Sequence, residues 1–241
     1  MQVSPPDSNA VKDWYNRRYA NGQEQAFGRP LEEYYDRYQK IPLQPQQNIL
    51  DVACGQGFFL KVAHENGHRT WGVDISTTAI NITRSITPES HTVAASGQAL
   101  PFADNSFDLV TCWGSLEHHP DMEAALAEFI RVARSQSLML LRVPNRDFWL
   151  YQIMNKLGLE AGTEQQDIIE HLLSLEEWKT LFLQAGLSIE RITPDDWFLK
   201  QPFNMQPGLQ TNFKLLLRKI ALKFAPLDKT YTFDFLCRVN K

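Results

Sequence analysis

At 241 residues and 27.7 kDa the chain fits one large domain or two small ones. Its 43% hydrophobic and 22% charged residues, with 12 Gly and 13 Pro, exclude collagen-like, low-complexity and wholly disordered chains. A net charge of −4 and a pI near 5.9 argue against a nucleic-acid partner, and no apolar run approaches the roughly 18 residues that a membrane span needs.

Ahead of the core, residues 1–47 are rich in Tyr, Gln, Arg and Pro. The spacing of Trp14, Tyr15 and Tyr19, and of Tyr34, Tyr35 and Tyr38, predicts one or two short helices, the better one over 31–40. Pro42 and Pro45 make 41–47 a connector, because proline cannot sit in a helix interior. The chain then alternates. Residues 48–53 predict a strand, 58–66 a helix stopped by Gly67, and 69–74 a second strand. Ser76 is placed to cap a helix reaching about Ile86. Residues 91–95 and 107–113 read as strands three and four. Over 121–134, Met122, Leu126, Phe129, Ile130 and Ala133 share one helical face. A fifth strand, 138–143, stops at Pro144. After an irregular stretch, 174–186 reads as a helix with a capping box from Ser174 to Glu177, and 187–193 as a strand. The alternation of Tyr231, Phe233, Phe235 and Cys237 marks a last strand over 231–239, set off by a long excursion, 194–229. Strands alternating with helices predict an α/β, doubly wound, mostly parallel sheet covered on both faces.

The most informative run is 48–58, N-I-L-D-V-A-C-G-Q-G-F. Gly55 and Gly57 let the backbone turn sharply and let a ligand approach, and the helix beyond offers free N–H groups. Asp74 ends the next strand. In a right-handed βαβ unit the two strand ends are neighbours, so an acidic group there can accept hydrogen bonds from both ribose hydroxyls of a nucleoside. A dinucleotide fingerprint would need glycine where Leu60 stands, which makes a nicotinamide-dependent oxidoreductase the poorer fit. Residues 64–68, H-E-N-G-H, match a zinc-protease motif literally, but Gly67 should end the helix and throw His68 off its face. No metal site is expected. The three scattered cysteines, without C-x-x-C, also fit neither zinc nor a disulfide framework, and suit a reducing, cytoplasmic compartment. Residues 1–9 show no secretory signal pattern.

The chain resembles the class I S-adenosylmethionine-dependent methyltransferases, in particular the small-molecule group that includes quinone-biosynthesis enzymes. The resemblance spans about 49–191 and rests on I-L-D-V-A-C-G-Q-G from Ile49, G-V-D-I-S from Gly72, L-P-F-A-D-N-S-F-D-L-V from Leu100, L-E-H-H-P-D from Leu116 and A-G-L from Ala185, in the family's order. It implies a Rossmann-like seven-stranded sheet with an antiparallel last strand, and S-adenosyl-L-methionine as cofactor. It also implies roles. Asp51 and the backbone of Ala53, Cys54, Gly55 and Gly57 would hold the methionine end. Asp74 would take the ribose, Ile75 the adenine face, and Ser96, Gly97 and Gln98 the adenine edge. The backbone near Trp113 and Gly114 would reach the amino group. The family usually has an acidic residue where Ser96 stands, a glycine where Ala53 stands, and Pro-Gly-Gly where Ser135, Gln136 and Ser137 stand.

Methyl transfer needs alignment, exclusion of water and, for a hydroxyl or acidic carbon, a base. His118 and His119, after strand four, are the candidates; the plain alternative is that they order the turn. Glu117 is read as a supporting group, and Trp113 as either a pocket wall or core. Tyr15 and Tyr19 either fold over the cofactor or pack on the sheet edge. Residues 200–241 hold eight basic and two acidic residues. Over 213–224, Leu216, Ile220 and Phe224 share a face opposite basic pairs. Such a helix is either a solvated cover or a contact with an acceptor, a membrane surface or a lipid-like substrate. The expectation is a helical cap, 1–47, on a methyltransferase domain, 48–241, methylating oxygen or carbon of a small molecule. The amino-methylating Asn/Asp-Pro-Pro-aromatic signature is missing after strand four. A catalytically silent cofactor-binding protein is the alternative of a different class.

Overall fold

A computed structural model describes residues 8–21, 29–149, 170–196 and 223–241. Two helices precede the sheet, α1 (Ser8–Ala20) and α2 (Leu31–Tyr38). Then follow β1 (Asn48–Val52), α3 (Phe58–Glu65), β2 (Arg69–Asp74), α4 (Thr77–Ile86), β3 (His91–Ala94), β4 (Phe107–Trp113), α5 (Met122–Val132), β5 (Ala133–Pro144), α6 (Leu175–Gln184), β6 (Leu187–Pro194) and β7 (Thr232–Val239).

Local signals set the boundaries. Gly67, at φ 84°, follows the end of α3 in the left-handed conformation that glycine adopts at least cost. The Ser76 hydroxyl accepts the Ala79 N–H at 3.1 Å and starts α4. Asp121 does the same for α5 through Ala124, and Ser174 and Glu177 cap α6 reciprocally. β5 begins five residues earlier than its apolar run, at Ala133, which pairs with Phe107. Within that extension Gln136 takes φ 61°, a conformation costing a non-glycine residue about 1–2 kcal/mol.

The seven strands form one sheet in the order β3-β2-β1-β4-β5-β7-β6. β1 to β5 run parallel, and β7 is antiparallel to both neighbours, as expected for the last strand. From β1 the chain goes first to β2 on one side and later to β4 on the other. That reversal opens a crevice above the carboxyl ends of β1 and β4, where open α/β sheets bind ligands.

Side chains alternate across the sheet. Leu50, Val52, Val110, Cys112, Met139 and Leu141 pack on one face, with Leu126 and Phe129 of α5 and Trp178 and Phe182 of α6. Ile49, Leu109, Leu138, Leu140 and Leu236 pack on the other, with Phe59 and Ala63 of α3 and Tyr34 and Tyr38 of α2. Trp178 satisfies its ring N–H on the Pro144 carbonyl at 2.8 Å.

The same alternation puts charge inside. Arg142 and Asp234 stand opposite each other on β5 and β7, on the α2 face. Arg142 Nε and Nη2 reach Asp234 at 2.7 and 3.0 Å. Arg37 of α2 donates to Asp234, to Glu33 and, at 3.0 Å, to Asp195. Arg29 reaches Glu33 and Asp195, each at 2.7 Å. Three cations and three anions thus tie α2 to the β5-β7-β6 end of the sheet. No sequence window contains both halves of this cluster. The predicted helix over 213–224 lies mostly outside the described residues.

Candidate cofactor-binding site

The turn from β1 to α3 is built on left-handed backbone. Ala53, Gly55 and Gly57 have φ of 57°, 54° and 78°. The Cys54 N–H donates to Val73 carbonyl at 3.0 Å, joining the ends of β1 and β2. A Cβ on Gly57 would stand 2.4 Å from Thr83 Cγ2 of α4, and one on Gly55 2.9 Å from the Tyr19 hydroxyl of α1. Leu60 occupies the place of the missing third glycine. It packs on Gly72 of β2, where a Cβ would come within 2.5 Å of Leu60 Cδ1. The close helix–strand approach is kept by moving the glycine from helix to strand.

Asp74 sits at the end of β2. Its Oδ2 accepts the Gly55 N–H at 2.9 Å and its Oδ1 the Ser76 N–H at 2.8 Å. Burial pushes its carboxyl up to about 6 against the pull of those two donors. Asp51, on β1, accepts the Thr111 hydroxyl at 2.6 Å, and burial pushes it to about 8, with Asp74 adding to the rise.

A cavity of about 70 Å³, open to solvent, lies above these strand ends. It gathers Ala53, Asp74 and Ile75 with Ser96, Gly97 and Gln98, and with His118 and His119. Six of these are expected cofactor contacts and two are the expected bases. Val11 and Tyr15 of α1 complete the wall. The helix is held by Asn16, whose Oδ1 accepts the Ser76 hydroxyl at 2.7 Å and the Thr78 N–H at 3.2 Å. Burial raises the Tyr15 and Tyr19 hydroxyls, and the Asp74 charge raises them further. Tyr15 thus lines the cavity and the Tyr19 hydroxyl stands over the glycine turn at Gly55.

Other expected residues stand elsewhere. Cys54 turns its thiol inward against Leu60 and Ile80, so only its backbone belongs to the loop. Trp113 packs between Phe59 and Tyr34, with the Arg37 and Arg142 guanidinium groups 5.7 and 5.6 Å from its ring centre. Gly114 donates its N–H to the Arg142 carbonyl at 3.0 Å. His119 is a wall: its Nδ1 lies 2.9 Å from the Ser115 carbonyl, and its ring occupies the space a Cβ on Gly97 would need. Burial lowers its affinity for a proton. The Ser96 hydroxyl accepts the Gln98 N–H at 3.2 Å, fixing this turn locally. Among the described residues no group of three or more His, Cys, Asp or Glu could hold a metal ion.

These features fit a nucleoside carrying an amino-acid arm. Each Asp74 oxygen takes one backbone donor and keeps lone-pair capacity for a ribose hydroxyl. Ile75 offers an apolar face beside the polar edge of Ser96 and Gln98.

Residues 50–141 match the family described as the methyltransferase domain. That stretch runs from β1 into β5, and the sheet order places the chain among proteins with the Rossmann-like methyltransferase fold. A demethylmenaquinone methyltransferase from Renibacterium salmoninarum is 36% identical over 90 residues, 37% of this chain and 38% of that protein. A ubiquinone biosynthesis O-methyltransferase from Hydrogenovibrio crunogenus is 24% identical over 205 residues, covering 79% of this chain and 81% of that one. The first curated relatives are thus matched over well under half their length. Among solved structures, the [4+2]-cyclase SpnF superposes with a TM-score of 0.69 at 16% identity, over 99% of this chain and 98% of its own. A neighbour named for cyclisation shares the fold, so the fold alone does not fix the reaction.

Proposed function

We propose that the protein transfers a methyl group from S-adenosyl-L-methionine to a small-molecule acceptor, on oxygen or carbon rather than nitrogen. The observation that carries this reading is Asp74, a buried carboxylate that lines the cavity and takes a glycine-loop N–H on one oxygen and an α4 N–H on the other. In this reading Asp74 receives the ribose hydroxyls, Ile75 covers the adenine, and Ser96, Gly97 and Gln98 meet its edge. Asp51 and the 53–57 backbone hold the amino-acid end, with the backbone at Cys112 to Gly114 beside it. When bound, the cofactor supplies a methyl group made electrophilic by its positively charged sulfur. The chain's own work is to align the acceptor and to keep water out.

α1 supports the second task, because Val11 and Tyr15 close the cavity. We take 1–47 as a helical cap on the catalytic domain 48–241. His118 lines the cavity, which supports a contact with the acceptor; His119 shapes the wall. The quinone-biosynthesis relatives support a small ring acceptor, and the missing amino-methylating signature supports oxygen or carbon. Three free, buried cysteines support a cytoplasmic setting, and among the described residues no helix is long and apolar enough to cross a membrane.

Calorimetric titration with S-adenosylhomocysteine tests the reading. Micromolar binding to the wild type, lost in Asp74→Ala, is expected. No binding to the wild type refutes it.

A further inference from the structure

Between two residues that line the cavity, Ser115 and His118, stands a carboxylate with no account. Glu117 lies in the short turn after β4, Leu116–His118, and is 4% exposed. Its carboxylate folds back on the chain, with Oε1 3.7 Å from where a Cβ on Gly114 would be. Its Oε2 is buried and has no hydrogen-bond partner. A bare carboxylate oxygen in this position costs on the order of 1–3 kcal/mol or more, so it calls for a reason.

The neighbours supply one. Ser115 and His118, on either side in sequence, line the cavity. Tyr15, the cavity wall from α1, has Asp74 and Glu117 as the two carboxylates that most raise its hydroxyl after burial. The Glu117 carbonyl accepts the His171 N–H at 2.9 Å, which draws in the segment before α6, and His171 Nε2 is also buried without a partner. Two orphaned polar atoms thus occur on two backbone-bonded segments, one of them flanked on both sides by residues of the cavity wall.

We propose that Glu117 is the base of the transfer, its free Oε2 receiving the proton of a phenolic hydroxyl on the acceptor. This rests on the methyltransferase reading above. The acceptor O–H bond breaks and its proton passes to Oε2. The oxygen's electron pair forms the bond to the methyl carbon, and the methyl–sulfur pair stays on sulfur. The sulfonium charge is discharged and the carboxyl ends neutral, so atoms and charge balance. A buried carboxyl tuned towards neutrality suits this task at neutral pH. Burial, aided by Glu170, holds Glu117 at about 8. The other groups facing it are Tyr15, Cys112 and its neighbours His118 and His171. On β5 and α5, which also pack on this turn, Arg142 is engaged by Glu33 and Asp234, Glu128 by Arg131, and Asp121 caps its own helix.

The test uses the full chain, its Glu117→Gln and Glu117→Asp variants, and two probes, 4-nitrocatechol and 1,4-dihydroxynaphthalene. S-adenosylhomocysteine binding is measured first. It should be unchanged in Glu117→Gln, and its absence from the wild type removes the methyltransferase reading and this proposal together. Wild-type kcat/KM for O-methylation should rise tenfold per pH unit and then level off. Glu117→Gln should lower the plateau about 100-fold or more and abolish the rise. Glu117→Asp should keep the rise at a reduced rate. Without cofactor or probe, the wild type should lose stability as pH climbs from the ordinary carboxyl range to about 8, and Glu117→Gln should lose less. The proposal is overturned if Glu117→Gln keeps the wild-type rate and profile, or if a wild type that binds S-adenosylhomocysteine methylates neither phenol. If Glu117→Gln does not fold, a rise absent from Glu117→Asp overturns it as well.

Discussion

Asp234→Asn is the sharpest perturbation of the fold that the charge cluster offers. Asp234 and Glu33 are the two acids that both buried arginines share, and Asp234 is the one that Arg142 grips with two nitrogens, at 2.7 and 3.0 Å, with Arg37 beside it. Both guanidinium groups have side chains only 4% exposed. The amide is nearly the same size, so packing changes little and the charge is what is lost. Arg142 then keeps only Glu33, at 3.1 Å, and Arg37 keeps Glu33 and Asp195. Three cations then face two anions, and the two cations that lose a partner, Arg37 and Arg142, are the buried ones. Removing one partner from a buried pair costs about 3–5 kcal/mol, largely the charge left uncompensated. For a chain of this size that is a fall in Tm of roughly 6–20 °C. Urea unfolding followed by circular dichroism measures it, with the midpoint shifting at constant slope. A control separates charge from shape: Arg142→Met with Asp234→Leu removes the pair together and should recover much of the loss, since apolar replacement of a buried pair is often neutral or better. A cost below about 1 kcal/mol for Asp234→Asn would mean that the cluster is wet or locally rearranged, and the argument fails.

Two further outcomes follow from the site. Gly72→Ala should weaken S-adenosylhomocysteine binding and destabilise the fold by about 1–3 kcal/mol, because its Cβ meets Leu60 at 2.5 Å, and adding Leu60→Ala should restore part of both; calorimetry and urea titration read them, and no rescue would show the clash is not the cause. Asp51→Asn should flatten the pH dependence of stability. A carboxyl raised by burial to about 8 contributes stability that is full below the unfolded value near 4 and is lost as pH rises through 8, so the wild type should fall relative to the variant by about 1.4 kcal/mol per unit between them, and parallel curves would refute the shift.

Most of the sheet was legible because its signals are local. The caps Ser76 and Ser174, the stop at Gly67 and the period-2 run into Val239 each lie within a few residues of what they control. The cofactor loop and Asp74 were legible for the same reason, since a βαβ unit brings its strand ends together by rule. What stayed hidden depends on pairs distant in sequence. Asn16 caps α4 from 60 residues away. Arg142 and Asp234 look like surface charges on alternating strands until the register sets them face to face under α2. Cys54 and Trp113 fell in the right motifs, but a side chain's direction at a turn depends on backbone angles that sequence spacing does not reveal.

The hidden contacts have a common geometry, and it bears on function. Asn16 pins α1 to the start of α4, the element that also packs on Gly57 through Thr83, and Tyr15 and Tyr19 of the same helix reach the cavity and the loop. The arginine cluster pins α2 to the other side of the crevice, beside Trp113 at the end of β4. The two N-terminal helices are therefore anchored on opposite sides of the point where the strand order reverses. The anchors differ in kind. The Asn16 contacts of α1 are neutral hydrogen bonds, each worth about 0.5–1.5 kcal/mol, whereas α2 is held by buried charge whose disruption costs several times more. Breaking the Asn16 contacts would therefore loosen the cavity wall at Val11 and Tyr15 at much lower cost than releasing α2 from the sheet.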